Sequence, residues 1–203
     1  LFKEIEFFRH FKNTFVVTAS SVVLNLFLSS LAAFAFAKYE FKGKKTIFTL
    51  LLSTMMIPGQ MTMIPIFLLL KNLGLLNTYL ALILTSAVSV YGIFLIRQFM
   101  LSIPDELIEA ARVDGCPEFL IFIKIVLPLC KPILSTLGIF VFMGTWNDFL
   151  WPLIVMIKKE MYTLTVALAN LNSQYATDYG LLMAASTIVV LPVLIVFFIG
   201  QKF

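Results

Sequence analysis

Charge, histidine and cysteine are all scarce in this sequence. Of 203 residues only 13% are Asp, Glu, Lys or Arg, far below the share that solvates a globular surface. A single histidine, His10, and two cysteines, Cys116 and Cys130, leave too few soft ligands for a zinc or iron–sulfur centre. The cysteines form no Cys-x-x-Cys pair and read as small apolar residues, not as a disulfide framework. The 15 basic and 11 acidic residues give a net charge of +4, spread in short clusters between apolar stretches, so no basic stripe exists for nucleic acid. A phosphate-binding Gly-x-x-x-x-Gly-Lys-[Ser/Thr] loop is also missing, because the one Gly-Lys pair, Gly43-Lys44, runs into Lys45 and has no upstream glycine. What is abundant is apolar: 61% of the residues, with a mean hydropathy of +1.00. The chain reads as an integral membrane protein.

Windows free of Asp, Glu, Lys, Arg and His cover Thr14–Ala37, Thr46–Leu70, Asn72–Ile96, Pro132–Asn147 and Tyr179–Gln201. A hydrocarbon core of roughly 30 Å needs about 20 helical residues. Four windows supply that length, and the fourth, Pro132–Asn147, has to borrow from Pro128–Lys131 or Phe149–Leu153. The runs are continuous where barrel strands would alternate in short segments, so the expected fold is all-α: a polytopic membrane helix bundle with five spans. Leu1–Lys12 is charged and reads as an extramembrane lead-in, with His10 on a solvated outer face. The chain opens at Leu1 without methionine and closes on Gln201-Lys202-Phe203 directly after an apolar run. Five spans put the termini on opposite faces, so a first helix and a C-terminal tail are expected to be absent from residues 1–203, with six spans in the whole protein.

Orientation follows the Lys and Arg distribution. The Lys38–Lys45 loop holds Lys38, Lys42, Lys44 and Lys45 and should be cytoplasmic. Alternation then puts Lys71–Thr78 outside, Arg97–Lys131 inside and Phe149–Asp178 outside. Inside fall Lys38, Lys42, Lys44, Lys45, Arg97, Arg112, Lys124, Lys131 and Lys202; outside fall Lys3, Arg9, Lys12, Lys71, Lys158 and Lys159.

Between the third and fourth windows lies the most informative segment, residues 104–127. Pro104 followed by Asp105 and Glu106 is a helix start whose carboxylates suit the macrodipole. Gly115 can end that helix in a left-handed cap and Pro117 can begin a second, apolar one over Glu118–Lys124. Leu107, Ala110, Ala111 and Asp114 fall at helical spacing, leaving small alanines on one face where another surface could approach.

Here the sequence resembles a known family. Glu109-Ala110-Ala111, three residues, Gly115, nine residues, Ile125, one residue and Leu127-Pro128 match the EAA-loop pattern of the membrane subunits of bacterial ATP-binding-cassette (ABC) importers. Asn13-Thr14, Ile64-Pro65, Gly74-Leu75, Trp146-Asn147-Asp148-Phe149, Pro152-Leu153, Met183-Ala184-Ala185 and Leu191-Pro192 extend the likeness over nearly the whole chain. Together they resemble the carbohydrate-uptake subfamily that includes the maltose and glycerol-3-phosphate permeases. The resemblance implies one transmembrane domain over 1–203, forming half of a translocation pathway for a sugar in a bacterial cytoplasmic membrane. It implies no catalysis and no cofactor in this chain, ATP and Mg being bound by a cytoplasmic ABC ATPase dimer. The other implied partners are a second permease subunit and an extracytoplasmic solute-binding protein. Carried over residue by residue, Glu109, Ala110, Ala111 and Gly115 become the docking core, with Arg112 and Asp114 as polar contacts. A different small solute, or a stand-alone transporter or channel, remains the alternative at this point.

Elsewhere the residues support two readings each. Trp146, Asn147 and Asp148 suit either sugar binding by stacking and hydrogen bonding or an interfacial anchor. No charge-free window contains an ionisable residue of the kind a proton or sodium relay needs, and the nearest candidate, Asp148, lies at the outer end of the fourth. Met55, Met56, Met61 and Met63 surround the Pro58-Gly59-Gln60 break, which suits bundle packing or a gate at Gln60. Pro128, Pro132 and Pro192 should bend the helices they lie in or beside.

Overall fold

The computed structural model describes residues 6–174 and 179–200; Lys3, Asp178 and Lys202, which entered the loop assignments above, lie outside them. Among the described residues every regular element is helical. The longest, α1 (Phe7–Lys38), is the axis on which the helices of the third and fourth windows and the 164–174 helix pack. Its 32 residues reach about 48 Å, well beyond one hydrocarbon core. It begins before the charge-free window, and the expected extramembrane lead-in is therefore helical from Phe7.

One side of α1 carries Thr14, Thr18, Ser21, Asn25, Ser29 and Ala33, all buried and spaced three or four residues apart. Small and hydroxylated side chains allow backbones to approach and can satisfy polar groups inside a membrane bundle. They do so at the third window, which is not one helix. It splits into α4 (Tyr79–Ser86) and α5 (Val90–Met100), bent by 41°. The break frees the Ser86 carbonyl, to which the Asn25 amide donates at 2.8 Å, while the Ser86 hydroxyl donates to Ser21 at 2.7 Å. Ser89 caps α5 by accepting from the Gly92 N–H at 2.9 Å. A methyl group on Gly92 would sit 2.5 Å from that hydroxyl and 2.9 Å from Leu137, so any larger residue where α5 meets α1 and α9 would displace the Ser89 cap or Leu137.

The second window is also broken. α2 (Lys44–Thr54) and α3 (Gly59–Asn72) meet at 98°, across Met55–Pro58, where Pro58 cannot continue a helical hydrogen-bond ladder. The fourth window is preceded by a bent helical arm, and its own helix takes in Lys131. α7 (Glu118–Ile121), a π-helical turn (Phe122–Val126) and α8 (Leu127–Leu129) form one arm, and the chain turns by 81° at Cys130 into α9 (Lys131–Trp146), with Pro132 in the first turn of α9. After it come α10 (Leu150–Val155), a 3-10 turn (Lys159–Met161), α11 (Leu164–Gln174) and α12 (Tyr179–Gly200). Among the described residues, by length and composition one unbroken helix, α1, can cross a bilayer, and each of the three bent pairs can cross as one broken span.

The two ends of α1 sort the loops. At its C-terminal end Lys38 pairs with Asp105, bringing the Lys38–Lys45 loop and the 104–127 segment to the same side. At its N-terminal end Asn13 accepts from the Tyr79 hydroxyl at 2.7 Å and donates to the Glu160 carbonyl at 2.8 Å. The turn before α4 and the turn before α11 thus share the opposite side, as alternation requires. His10, expected on a solvated face, is buried: its Nδ1 lies 3.0 Å from the Tyr162 carbonyl.

Candidate coupling loop and central cavity

The loop between α5 and α9 folds as its residues dictate. α6 (Asp105–Val113) starts directly after Pro104, with Asp105 and Glu106 in the first turn and Arg112 in the last. Both placements complement the helix dipole. Gly115, at φ +77°, ends it: its N–H bonds to the Arg112 carbonyl and the Cys116 N–H to the Ala111 carbonyl, each at 3.0 Å. That pair of bonds is a Schellman cap.

Which face of α6 is free follows from what it packs on. Ile108 and Ala111 are buried in the same core as Ala33, Phe34, Ile96 and Phe122. The expectation that both alanines face outward is therefore half right. Ala110 is exposed, but Ala111 turns inward, because the apolar periodicity runs through Ile108 and Ala111. Glu106, Glu109, Ala110 and Val113 share the free face, with Asp114 and Gly115 exposed beyond it, and Val113 is 88% exposed. Leu107, 46% exposed, lies beside that stripe. Arg112, expected as a free polar contact, is engaged with Glu118 through Nε at 2.6 Å and Nη2 at 3.3 Å.

Two straps fasten the loop to the end of α1. Lys38, with its side chain 3% exposed, donates to the Ile103 carbonyl at 2.5 Å and to the Asp105 carboxylate at 2.6 Å. The Tyr39 hydroxyl donates to Glu118 at 2.5 Å. The Lys38 ammonium lowers the Asp105 carboxyl below its ordinary range, and the Arg112 guanidinium and Tyr39 hydroxyl do the same to Glu118. Burial, then the neighbouring Glu118 carboxylate, raises the Tyr39 phenol.

A second feature lies toward the other end of α1. A cavity of about 390 Å³ opens between α1, the first turns of α3, the end of α4, the end of α9 and α10. Gly59 and Gly144 line it with backbone only, and nothing lies within 4 Å of where a side chain would begin at either. Its polar lining is hydroxyl-rich: Thr14, Thr18, Thr85, Ser86, Thr145 and Thr163, with Gln60 and Asp148. Trp151 forms an aromatic wall, its indole N–H donating to Thr85 at 3.0 Å. Among the described residues, the buried Thr18 hydroxyl has no hydrogen-bond partner. A buried unpaired hydroxyl beside an open cavity is free to bond a guest.

Of the four pathway residues expected from the sequence, Gln60 and Asp148 line this cavity. Trp146 and Asn147 do not. Trp146 is 1% exposed, donates to the Val189 carbonyl at 3.0 Å, and packs between Phe11 and Phe142. It is neither an interfacial anchor nor a cavity wall, because its indole fills the contact of α1 and α9 with α12. Asn147 is exposed, and its amide turns back to the Met143 carbonyl. The methionines of the Pro-Gly break do not pack in the bundle: Met55, Met56 and Met61 are exposed, and Met63 lines the cavity. Sequence reasoning missed Trp151, Thr18 and Thr85. The helical spacing of Thr14, Thr18, Ser21 and Asn25 within a charge-free window is a legible sign of a polar face at Thr18, whereas nothing local marks Trp151 or Thr85.

Comparison with known proteins bears on both features. Residues 16–203 match the family described as binding-protein-dependent transport system inner membrane component. The chain belongs to this family. Among curated relatives, the permease is 42% identical over 197 residues to the arabinooligosaccharides transport system permease protein AraQ of Bacillus subtilis, covering 97% of this chain and 70% of that protein. It is 37% identical over 192 residues to the lactose transport system permease protein LacG of Rhizobium radiobacter, covering 95% and 70%. A crystal structure of a bacterial ABC transporter involved in the import of the acidic polysaccharide alginate superposes with a TM-score of 0.85 at 28% identity, over 97% of this chain and 75% of the other. The permease is thus the membrane component of a binding-protein-dependent importer, which sets aside a channel or stand-alone transporter.

Proposed function

We propose that this permease forms half of the translocation pathway for a sugar or sugar-derived solute in a bacterial cytoplasmic membrane. Its partners are a cytoplasmic ABC ATPase dimer that binds ATP and Mg, a second permease subunit, and an extracytoplasmic solute-binding protein. The observation that carries this reading is the double role of α1, which grips the 104–127 loop at one end and lines the cavity toward the other. The free face of α6, with Glu106, Glu109, Ala110 and Val113, docks the ATPase: two carboxylates meet basic groups, and Val113 is an apolar anchor. Gly115 closes the docking element, whereas Ala111, Arg112 and Glu118 hold it on the bundle.

The cavity suits a polyol. Its volume falls within the range of small-molecule sites, and indole plus hydroxyls offers a stacking face and exchangeable hydrogen bonds. The names of relatives that import arabinooligosaccharides and lactose support a carbohydrate cargo. Transport follows if ATP binding shifts the ATPase between forms that hold α6 differently, since a ligand moves an equilibrium only through differential affinity.

ATPase activity of the assembled importer in nanodiscs, with and without sugar-loaded binding protein, tests the reading. Wild type should be stimulated by the loaded binding protein, and Glu109→Ala and Gly115→Pro should abolish the stimulation. Stimulation that survives both substitutions would remove α6 from the coupling path.

A further inference from the structure

Beside the coupling loop, a second cleft, of about 700 Å³, opens between the Glu40–Thr46 turn, the first turns of α2 and Arg97 near the end of α5. Neither docking nor the sugar pathway uses it. Three cations line it, Lys44, Lys45 and Arg97, against a single carboxylate, Glu40, which pairs with Lys44 at 2.8 Å. Arg97 is oriented by a bond from Nε to the Phe36 carbonyl at 3.0 Å, with its guanidinium 4.3 Å from the centre of the Phe48 ring. That leaves both terminal guanidinium nitrogens without a hydrogen-bond partner among the described residues. Thr46 and Thr49 add hydroxyls to the same wall.

From this cleft we infer that the permease binds the phosphate headgroup of an anionic phospholipid between α2 and α5. Charge decides for an anion, since the lining carries three positive groups against one negative. The surroundings decide for a lipid over a free ion. The cleft lies at the Lys38–Lys45 end of α1, and α2 leads away from it with no buried residue, presenting Ile47 at 45% and Leu50 at 61% exposure. A headgroup between Lys45 and Arg97 leaves its acyl chains along that apolar face. Basic pockets between membrane helices on the cytoplasmic side are known headgroup sites. The guanidinium supplies paired donors to the phosphate, and the two lysines supply mobile charge.

Native mass spectrometry of the full permease, purified with its importer subunits, tests this with phosphatidylglycerol and phosphatidylcholine as probes and inorganic phosphate as competitor. Phosphatidylglycerol should be retained in preference to phosphatidylcholine, and inorganic phosphate should not displace it. The double variant Lys44→Gln/Lys45→Gln should lower the apparent lipid affinity about tenfold or more, each juxtamembrane cation contributing several-fold. Lys158→Gln/Lys159→Gln, which removes equal charge at the opposite end, should leave it unchanged. Equal retention by the two double variants, or no preference between the lipids, overturns the inference. Displacement by inorganic phosphate makes this a free-anion site. Loss of the ATPase subunit from the Lys44→Gln/Lys45→Gln complex assigns the cleft to a protein partner instead.

Discussion

Two tryptophans five positions apart divide the labour of α9 and α10. Trp146 has its indole buried with its N–H bonded to Val189, so its contribution is packing. Trp151 is half-buried, faces the cavity and bonds Thr85, so its contribution is to what enters. Trp146→Phe should therefore lower the thermal stability of the permease, by about 1–3 kcal/mol for lost volume and the lost indole hydrogen bond. Uptake per folded molecule should stay near wild type. Trp151→Phe should leave the melting temperature within a degree or two on the ordinary scale of half-exposed substitutions, yet change the KM for uptake. Thermal melts in detergent and transport by proteoliposomes, run on both variants, separate the roles. The opposite pattern would return Trp146 to the pathway.

At the scale of elements, the break between α4 and α5 is held by side chains of α1. Asn25 satisfies the Ser86 carbonyl that the α4–α5 break exposes, and no other donor to that oxygen is found among the described residues. Asn25→Leu should cost about 0.6–2 kcal/mol, the span between average bonds in membrane bundles and a buried carbonyl left unpaired. Chemical unfolding in mixed micelles measures it, and Asn25→Gln should recover little because the longer amide misses the carbonyl. The straps on α6 give the coupling loop a pH dependence of calculable sign. Glu118 and Asp105 are lowered by their cationic and hydroxyl partners, so their contribution is present above the ordinary carboxylate range and vanishes as pH falls through it. Tyr39 is raised, so the bond from its hydroxyl persists until pH climbs toward the phenol's own range. Hydrogen-exchange protection of residues 105–121, corrected for intrinsic rates, should be flat at neutral pH and fall below about pH 4. A decline between pH 5 and 8 would point to some other group.

The elements also show what was readable beforehand. The loop was legible almost completely, because Pro104, the acidic first turn and Gly115 are local signals that act within a few residues. The orientation of Ala111 was not, since it depends on where Ile96 and Phe122 lie in space. Charge-free windows located the apolar segments but not their breaks. The 41° bend at Ala87–Ser89 has no proline or glycine at its centre and depends on the serines and asparagine of α1 across the interface. Trp146 was misassigned for the same reason: a tryptophan beside Asn147 and Asp148 looks like a site in one dimension, and only packing against Phe11 and Val189 reveals its role.

At the scale of the molecule, α1 is fastened at both ends and the α2–α3 pair is not. At the first end His10 and Asn13 meet the carbonyls of Glu160 and Tyr162; at the other Lys38 and Tyr39 hold the coupling loop. By contrast α2 buries no residue and α3 buries only Leu70, so little in this chain resists their movement relative to the rest. Gln60 and Met63, which line the cavity, sit on that loosely held arm. The arrangement favours a rigid unit of α1, the coupling loop and the turn before α11, against which the α2–α3 arm swings to change access to the cavity. Pulsed spin-label distances in the assembled importer, with and without ATP, test it. A pair placed by Ser102→Cys, in the exposed turn that Lys38 holds beside α6, and Lys159→Cys should keep its distance through the cycle to within about 2 Å, the scale of helix shifts inside a packed unit. A pair placed by Lys159→Cys and Leu68→Cys should change by more than that. If the first distance moves as much as the second, the hydrogen bonds at the ends of α1 break during transport and the loop drives the cavity by another route.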